Sequence, residues 1–165
     1  MPEPTAPGVN QYSDLTGTGD PEGLRRAIVY PNTDRGHAGV LRAMTAQLAR
    51  RGPDAAGEYF SGPLALGHRR LSVIDLSERA NQPMLDNESG LALVFNGTIY
   101  NYPELREQLR SRGHRFDSSG DTEVILKAYH AWGKDCVHQL NGMFAFAIHE
   151  RDSGRLFLAR DRLGI

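Results

Sequence analysis

The segment LALVFNGTIY, residues 91–100, contains the β-strand signal from which the fold of this chain can be predicted. Leucine and phenylalanine occupy positions 91, 93 and 95, and alanine, valine and asparagine occupy positions 92, 94 and 96. A period of two is typical of a β-strand, and apolar residues at both sets of positions indicate that both of its faces are covered. After this run, Asn96-Gly97 predicts a sharp turn, because both residues tolerate a positive φ angle.

The pattern on either side of this strand predicts a mixed fold. Strands are predicted at residues 27–30, 58–60, 64–70, 143–149 and 155–160, with a hairpin turn at Asp152-Ser153-Gly154. Helices are predicted from Gly39 to a cap at Gly52, from Pro103 to Gly113, and from about Thr122 to Trp132 with Asp121 as the N-cap. Strands near both ends with helices between them favour an α+β sandwich over a parallel βαβ fold.

Composition limits the classes of partner. The chain has 165 residues, 39% hydrophobic and 24% charged, which fits one globular domain. A formal net charge of −1 disfavours nucleic acid and anionic membranes as partners. Residues 1–24 are rich in proline and glycine and are expected to be a disordered leader, so the domain is expected to span residues 25–165. The single cysteine, Cys136, excludes an internal disulfide and fits a reducing cytoplasm.

Five short motifs carry the chemistry. They are Arg51-Gly52-Pro53-Asp54, Gly67-His68-Arg69-Arg70-Leu71, Phe95-Asn96-Gly97-Thr98-Ile99-Tyr100-Asn101, Gly120-Asp121-Thr122-Glu123 and Ala159-Arg160-Asp161-Arg162-Leu163-Gly164-Ile165. Taken alone, each is also typical of ordinary structure, such as a strand-end charge, an Asn-Gly turn or a helix N-cap. Together they offer an anion clamp, an oxyanion donor and an ammonium acceptor, the parts that hold an amino-acid amide.

These motifs and their order resemble the glutaminase domain of asparagine synthetases, which are class II glutamine amidotransferases with the N-terminal nucleophile hydrolase fold. The likeness runs from about Gly39 to Ile165. It implies an αββα sandwich, in which two antiparallel sheets lie between helix layers. Within the family, His130-Ala131-Trp132-Gly133 and the segment 149–154 look similar to N-acetylglutaminylglutamine amidotransferases.

The resemblance implies roles for individual residues. Arg70 would bind the α-carboxylate of glutamine, where its planar guanidinium fits two parallel hydrogen bonds. The side chain of Asn96 and the backbone N–H of Gly97 would form the oxyanion hole. Asp121 would bind the α-ammonium. Thr98 stands where the family usually has glutamate, which removes a carboxylate next to the substrate.

The family's nucleophile has no counterpart at the expected position. A cysteine follows the initiator methionine in the family, whereas residue 2 here is Pro2. Cys136 is expected to be a buried core residue. Three interpretations therefore stay open: an amidotransferase glutaminase domain with an altered beginning, a catalytically inactive glutamine-binding module, or a fragment that folds poorly.

Partners and cofactors follow from the same resemblance. L-Glutamine is the expected ligand, and a synthetase domain is the expected acceptor of ammonia. The family's ATP-using domain would begin after Ile165, so the domain is expected to be truncated there and to need no cofactor, with ATP and Mg²⁺ bound only by the synthetase domain. The histidines show no metal-ligand spacing, so no metal site is expected. A homodimer stays open.

Overall fold

The computed structural model of the chain describes residues 28–31 and 37–164. The strands in these ranges are β1 (Ile28–Pro31), β2 (Ala55–Ser61), β3 (Leu64–Arg70), β4 (Met84–Asp86), β5 (Leu91–Ile99), β6 (Gly142–Glu150) and β7 (Leu156–Arg160). The α-helices in the same ranges are α1 (His37–Gln47), α2 (Tyr102–Ser111) and α3 (Asp121–Trp132). The predicted leader, residues 1–24, lies outside the described residues.

The described strands form two antiparallel sheets. The first has the order β1-β3-β2, and the second has the order β4-β5-β6-β7. In the second sheet, β5 pairs with β6 along its whole length, from Leu91 opposite Glu150 to Ile99 opposite Gly142. The strand that the alternating run predicts is therefore an inner strand of the larger sheet.

The two faces of β5 contribute to two different hydrophobic cores. Leu93 and Phe95 are fully buried in the core that the second sheet forms with α2 and α3. Ala92 and Val94 point the other way and pack against Leu66 of β3, between the two sheets. Both faces are covered, as the alternation predicts.

Helices cover the outer faces of the two sheets. Leu41 of α1 is fully buried against the first sheet, and a Cβ atom at Gly67 of β3 would lie 2.5 Å from the side chain of Thr45. On the other side, Leu109 of α2 and Ile125 of α3 are fully buried in the core of the second sheet. The layers therefore run helix, sheet, sheet, helix, which confirms the predicted α+β αββα sandwich.

The predicted turn at Asn96-Gly97 is wrong. Both residues lie inside β5, and the pairing with β6 continues through them, with Gly97 opposite Phe144. The φ angle of Gly97 is 134°, so the positive value that predicted a turn occurs within a strand. A sequence signal for positive φ does not by itself tell a turn from a distorted strand.

Two predicted helix ends are also wrong. Helix α1 ends at Gln47, so Gly52 does not cap it. Gly52 instead lies against β3, where a Cβ atom would come within 2.4 Å of the carbonyl carbon of Arg69. At the start of α3, the N-cap is Gly120, and Asp121 is the first helical residue. The Asp121 side chain accepts the N–H of Ile99 on β5.

The other elements agree with prediction apart from small shifts at their ends. Pro103 lies in the first turn of α2, Gly113 follows the end of that helix, and α3 stops before Gly133. Strand β4 is not predicted, because three residues are too few to show alternation. No helix in the described ranges has the length and apolar character needed to cross a membrane.

Candidate functional site

A cleft lies where the end of β3 faces the start of α3. Its lining consists of Arg70, Leu71, Val73, Ile74, Asp75, Ala80, Gly97, Gly120, Asp121 and Thr122. We call residues 70–75 the loop wall and residues 120–122 the helix wall. The cleft contains about 280 Å³ of empty space, open solvent at its mouth included, and it is narrow. A bound amino acid would therefore have to displace side chains, of which Leu71 and Val73 are the exposed ones.

Arg70 is the charged residue of the loop wall, and only 5% of it is exposed. Its guanidinium donates hydrogen bonds of 2.9 Å to the carbonyl of Ser77 and 2.9 Å to Oδ1 of Asn81, and a third bond to the carbonyl of Asp75. A guanidinium has five N–H donors. The Nε–H and one hydrogen of Nη2 are not used by these three bonds.

The segment 52–54 supports Arg70 from behind. The backbone N–H of Asp54 donates to the carbonyl of Arg70 over 3.0 Å. The Asp54 carboxylate accepts the N–H of Ser72 over 2.7 Å. Asp54 therefore fixes the loop on both sides of the arginine, as the sequence predicts, and does not line the cleft itself.

Gly97 contributes the free edge of β5 to the cleft. Residues 95, 97 and 99 of an antiparallel strand direct their N–H groups to the same edge, and the described pairing of β4 covers only residues 91–93. The N–H of Phe95 donates to Oε1 of Gln82 over 2.6 Å, and that of Ile99 donates to Oδ2 of Asp121 over 3.0 Å. The Gly97 N–H lies between these two bonds.

The strand on the opposite side of Gly97 does not take that N–H group. Phe144, the residue facing Gly97 on β6, donates its N–H to Asp161 over 3.0 Å and accepts the Asp161 N–H over 2.8 Å. The backbone groups of Phe144 are thus directed away from β5. The N–H of Gly97 is therefore a donor directed to the cleft, the kind of group that stabilises an oxyanion.

Asp121 is the charged residue of the helix wall and is 4% exposed. It lies in the first turn of α3, where the partial positive charge of the helix N-terminus attracts a negative side chain. Its Oδ2 accepts the Ile99 N–H. A carboxylate has room for about four hydrogen bonds, so this contact is compatible with binding an ammonium group as well.

Two of the predicted site residues do not line the cleft. Asn96 is 8% exposed, and its position in the alternation is that of Ala92 and Val94, which face the first sheet. Thr98 is half-buried on β5 and follows the same alternation. Of the five predicted residues, the structure brings Arg70, Gly97 and Asp121 together in the lining and leaves Asn96 and Thr98 beside it.

The helix wall is held by charged residues that the sequence analysis missed. Arg106 of α2 donates 2.7 Å and 2.6 Å hydrogen bonds to the carbonyls of Ser118 and Gly120. Glu123 of α3 accepts the backbone N–H and the hydroxyl of Ser118 at 2.7 Å and 2.6 Å. A basic residue on a helix and an acid in the first turn of another are common surface features, so their pattern gave no signal of these contacts.

Asp75 and Gln82 were missed as well. Asp75 belongs to the loop wall, and its carboxylate reaches Ser119, next to the helix wall. Gln82 is 3% exposed and caps Phe95 on the edge of β5. The motif at residues 67–71 ends before Asp75, and no local pattern indicates that this aspartate contacts Ser119.

Cys136 lies in the core beside α3 and is fully buried. Burial raises the pKa of its thiol to about 12. The prediction that it packs as a core residue is confirmed. Within the described residues, no group of three or more histidine, cysteine or acidic side chains is placed to hold a metal ion.

Known proteins are similar to this chain in sequence and in fold. A family model for a glutamine amidotransferase domain matches residues 27–165. The chain is 44% identical over 128 residues to asparagine synthetase [glutamine-hydrolyzing] 3 of Bacillus subtilis, covering 76% of this chain and 21% of that protein. It is 39% identical over 126 residues to asparagine synthetase [glutamine-hydrolyzing] 1 of the same organism, covering 76% of this chain and 20% of that protein. The chain thus spans about a fifth of the length of these relatives.

A solved structure supports the fold independently. The glutamine phosphoribosylpyrophosphate amidotransferase of B. subtilis superimposes with a TM-score of 0.68 and 21% identity, over 86% of this chain and 38% of that chain. This likeness confirms the N-terminal nucleophile hydrolase-like sandwich. The chain therefore belongs to the glutamine amidotransferase domain family, and its sequence relatives include glutamine-hydrolysing asparagine synthetases.

Proposed function

We propose that the cleft binds L-glutamine by its α-amino-acid end and that this chain is the glutaminase part of an asparagine synthetase-like amidotransferase. The observation that carries the proposal is the shared cleft of Arg70, Gly97 and Asp121. One cation, one backbone N–H and one carboxylate line the same small space. This set complements a zwitterion that also carries an amide.

Each group suits one part of glutamine. The two remaining N–H donors of Arg70 match the two oxygens of an α-carboxylate in a charge-assisted, bidentate contact. The Asp121 carboxylate, held in place by the Ile99 N–H, suits an α-ammonium. The N–H of Gly97 suits the oxygen that becomes negative when the side-chain amide is attacked.

Hydrolysis also needs an attacking group. The single cysteine of the sequence, Cys136, is buried with a raised pKa, whereas a cysteine attacks only as its thiolate. We therefore assign any hydrolysis to a nucleophile other than Cys136. In the same proposal, the ammonia passes to a synthetase part that uses ATP and Mg²⁺, which are not ligands of this cleft.

The binding proposal is tested by calorimetric titration of the protein, produced from its complete gene, with three ligands. L-Glutamine carries both charged groups, glutaramate lacks the α-ammonium, and γ-aminobutyramide lacks the α-carboxylate. Hydrogen bonds to charged groups contribute about 1.5–3 kcal/mol each, so we expect each truncated ligand to bind at least about tenfold more weakly than L-glutamine. Equal affinity for all three, or no binding of L-glutamine, would reject the proposal.

The substitution Arg70→Lys assigns the carboxylate contact. Lysine keeps the charge but loses the planar fork. We expect L-glutamine to bind the variant about tenfold or more weakly, while γ-aminobutyramide binds as before. Arg155→Lys is the matched control, because the Arg155 side chain is 75% exposed in the hairpin after β6.

An ammonia-release assay on the same samples tests hydrolysis separately, and binding without release would reject only the hydrolytic part.

A further inference from the structure

We propose that Asp75 is a positioning residue that holds the loop wall and the helix wall at the spacing that an α-amino acid requires. The identity of the ligand rests on the function proposed above. The contacts of Asp75 stand on their own geometry. The residue is 7% exposed, and its backbone and side chain bind to different parts of the cleft.

The carboxylate of Asp75 bridges two segments that are far apart in sequence. Its Oδ1 accepts the N–H of Ser77 at 2.8 Å, within its own loop. Its Oδ2 accepts the N–H of Ser119 at 2.7 Å and the Ser119 hydroxyl at 3.0 Å. Three donors therefore converge on one carboxylate, and two of them come from the residue two places before Asp121.

The backbone of Asp75 connects the same bridge to the arginine. Its carbonyl accepts a hydrogen bond from the guanidinium of Arg70. On the other side, a Cβ atom at Gly120 would lie 3.3 Å from the Cβ of Asp75, so the two walls touch at this point. A displacement of Asp75 would therefore move Arg70 and the start of α3 relative to each other.

Other restraints on the helix wall come from α2, from α3 and from Ile99 on β5. Arg106 and Glu123 belong to α2 and α3, and their contacts with residues 118–120 do not reach the loop wall. Asp75 is bonded directly to residue 119, so it connects the loop wall to the segment that leads into the helix wall. The ionised form of Asp75 is favoured as well. Burial opposes its ionisation, but the hydrogen bonds from Ser77 and Ser119 outweigh this effect and lower the pKa of Asp75.

Coupling between the walls predicts a selective effect on binding. A ligand that contacts both walls binds only when Arg70 and Asp121 are correctly spaced, and its apparent Kd rises as the fraction of correctly spaced molecules falls. A ligand that contacts only one wall is insensitive to that spacing. Loss of Asp75 should therefore weaken L-glutamine much more than glutaramate, which lacks the group for Asp121.

The test is Asp75→Asn, measured by calorimetry with L-glutamine and by NMR titration with glutaramate. Whichever way the new carboxamide is turned, its NH₂ group faces an N–H donor of Ser77 or Ser119. We expect L-glutamine to bind about tenfold to a hundredfold more weakly, and glutaramate to change less than about threefold. Asp117→Asn is the matched control, since it removes the same charge from an exposed neighbouring position and should leave both affinities unchanged.

A milder variant keeps the test decisive if Asp75→Asn does not fold. Ser119 is exposed, and Ser119→Ala removes only one of the three donors. We expect about a two- to tenfold loss for L-glutamine in the native background. If Asp75 acts through Ser119, the same change should have no further effect in an Asp75→Asn background.

The outcomes separate this proposal from the preceding one. If native protein binds L-glutamine and both variants bind it equally well, Asp75 is not a positioning residue, whereas the proposed function stands. Equal losses for L-glutamine and glutaramate in Asp75→Asn would show a general structural defect and would also overturn the positioning role. Absence of L-glutamine binding in the native protein would overturn the proposed function itself.

Discussion

Arg70, Asp75 and Asp121 are charged residues with 7% or less of their surface exposed. Burial of a charge is unfavourable unless hydrogen bonds replace water. Backbone groups do so here: carbonyls accept from Arg70, and N–H groups donate to both aspartates. The directions of these charged groups are therefore set by main-chain atoms of neighbouring elements, which is how a small site keeps its geometry.

Position 97 has room only for glycine. A Cβ atom at this position would lie 2.0 Å from the carbonyl oxygen of Met143, and the φ angle of 134° is unfavourable for other residues. We expect Gly97→Ala to lower the free energy of unfolding by about 2–4 kcal/mol, measured by chemical denaturation. Gly113→Ala is the control, because it has a φ of 92° but open space around it. An equal loss in both variants would show that the clash does not matter.

The buried position of Cys136 can be tested as well. Its burial and a thiol pKa of about 12 mean that almost no thiolate is available at pH 8. We expect native protein to react with a thiol reagent at least about a hundredfold more slowly than protein unfolded in guanidinium chloride. We also expect Cys136→Ala to bind L-glutamine with unchanged affinity. Rapid labelling of the native protein would contradict the core position of this residue.

Among the elements, the short strand β4 shapes the site. It pairs with β5 only as far as Leu93, opposite Met84, so the backbone N–H groups beyond that point need other partners. Side chains serve Phe95 and Ile99, and Gly97 lies between them. A longer β4 would cover this edge and close the access to the Gly97 N–H.

Gln82 tests this view of the edge. Its Oε1 accepts the Phe95 N–H at 2.6 Å, and the residue is 3% exposed. Gln82→Leu would leave a buried N–H without a partner, and we expect it to lower the free energy of unfolding by about 1–3 kcal/mol. Gln108→Leu on the exposed side of α2 should change stability by less than about 0.5 kcal/mol. Similar effects of the two substitutions in denaturant titrations would contradict the capping role.

The sequence predicts the parts of the fold that depend on local patterns. The alternation of residues 91–95 identifies β5, and the helix signals around Pro103 and Trp132 identify α2 and α3 within a few residues. Whether Gly97 lies in a turn or in a strand could not be predicted, because a positive φ angle suits a turn and a distorted strand equally well. Only the pairing with β6 distinguishes them, and that pairing joins residues about 45 positions apart.

The site could be predicted in part for the same reason. Arg70, Gly97 and Asp121 belong to short motifs whose residue types suggest the ligand. The bond from Asp75 to Ser119 joins residues 44 positions apart, and no local pattern indicates it. Asn96 was predicted from the family resemblance as the side-chain partner of the Gly97 N–H, and its place on β5 is on the face that Ala92 and Val94 share.

For the molecule as a whole, acidic groups link stability to pH. Burial opposes ionisation of Asp86, but the hydrogen bond and charge of Lys127, 2.7 Å away, outweigh it and lower the pKa of Asp86 below its ordinary value of 3.8. The hydrogen bonds from Ser153 and Tyr129 lower the pKa of Glu150 below its ordinary value of 4.5. Asp86 on β4 and Glu150 on β6 both lie opposite Leu91 of β5, and the contacts of both depend on their being ionised.

The sign of the effect follows from the lowered pKa values. A carboxyl group with a lower pKa in the folded state contributes stability that is complete above its ordinary pKa and is lost as the pH falls through the folded value. We expect the stabilisation by these two groups to be complete above about pH 5 and the thermal midpoint to decrease steeply below about pH 4 as it is lost. Lys127→Met should make this decrease shallower, with the exposed Lys134→Met as its control. Parallel pH profiles for the two variants would contradict the role of the Asp86–Lys127 pair.

In the proposed complex, the two charged ends of one amino acid meet the two walls of a single cleft. A crystal structure of the protein with L-glutamine bound would show whether they do. We expect the α-carboxylate within hydrogen-bonding distance of the Arg70 guanidinium, the α-ammonium at the Asp121 carboxylate, and the side-chain amide oxygen near the Gly97 N–H. Glutamine bound away from this cleft, or oriented with its amide towards Arg70 and Asp121, would contradict the claim.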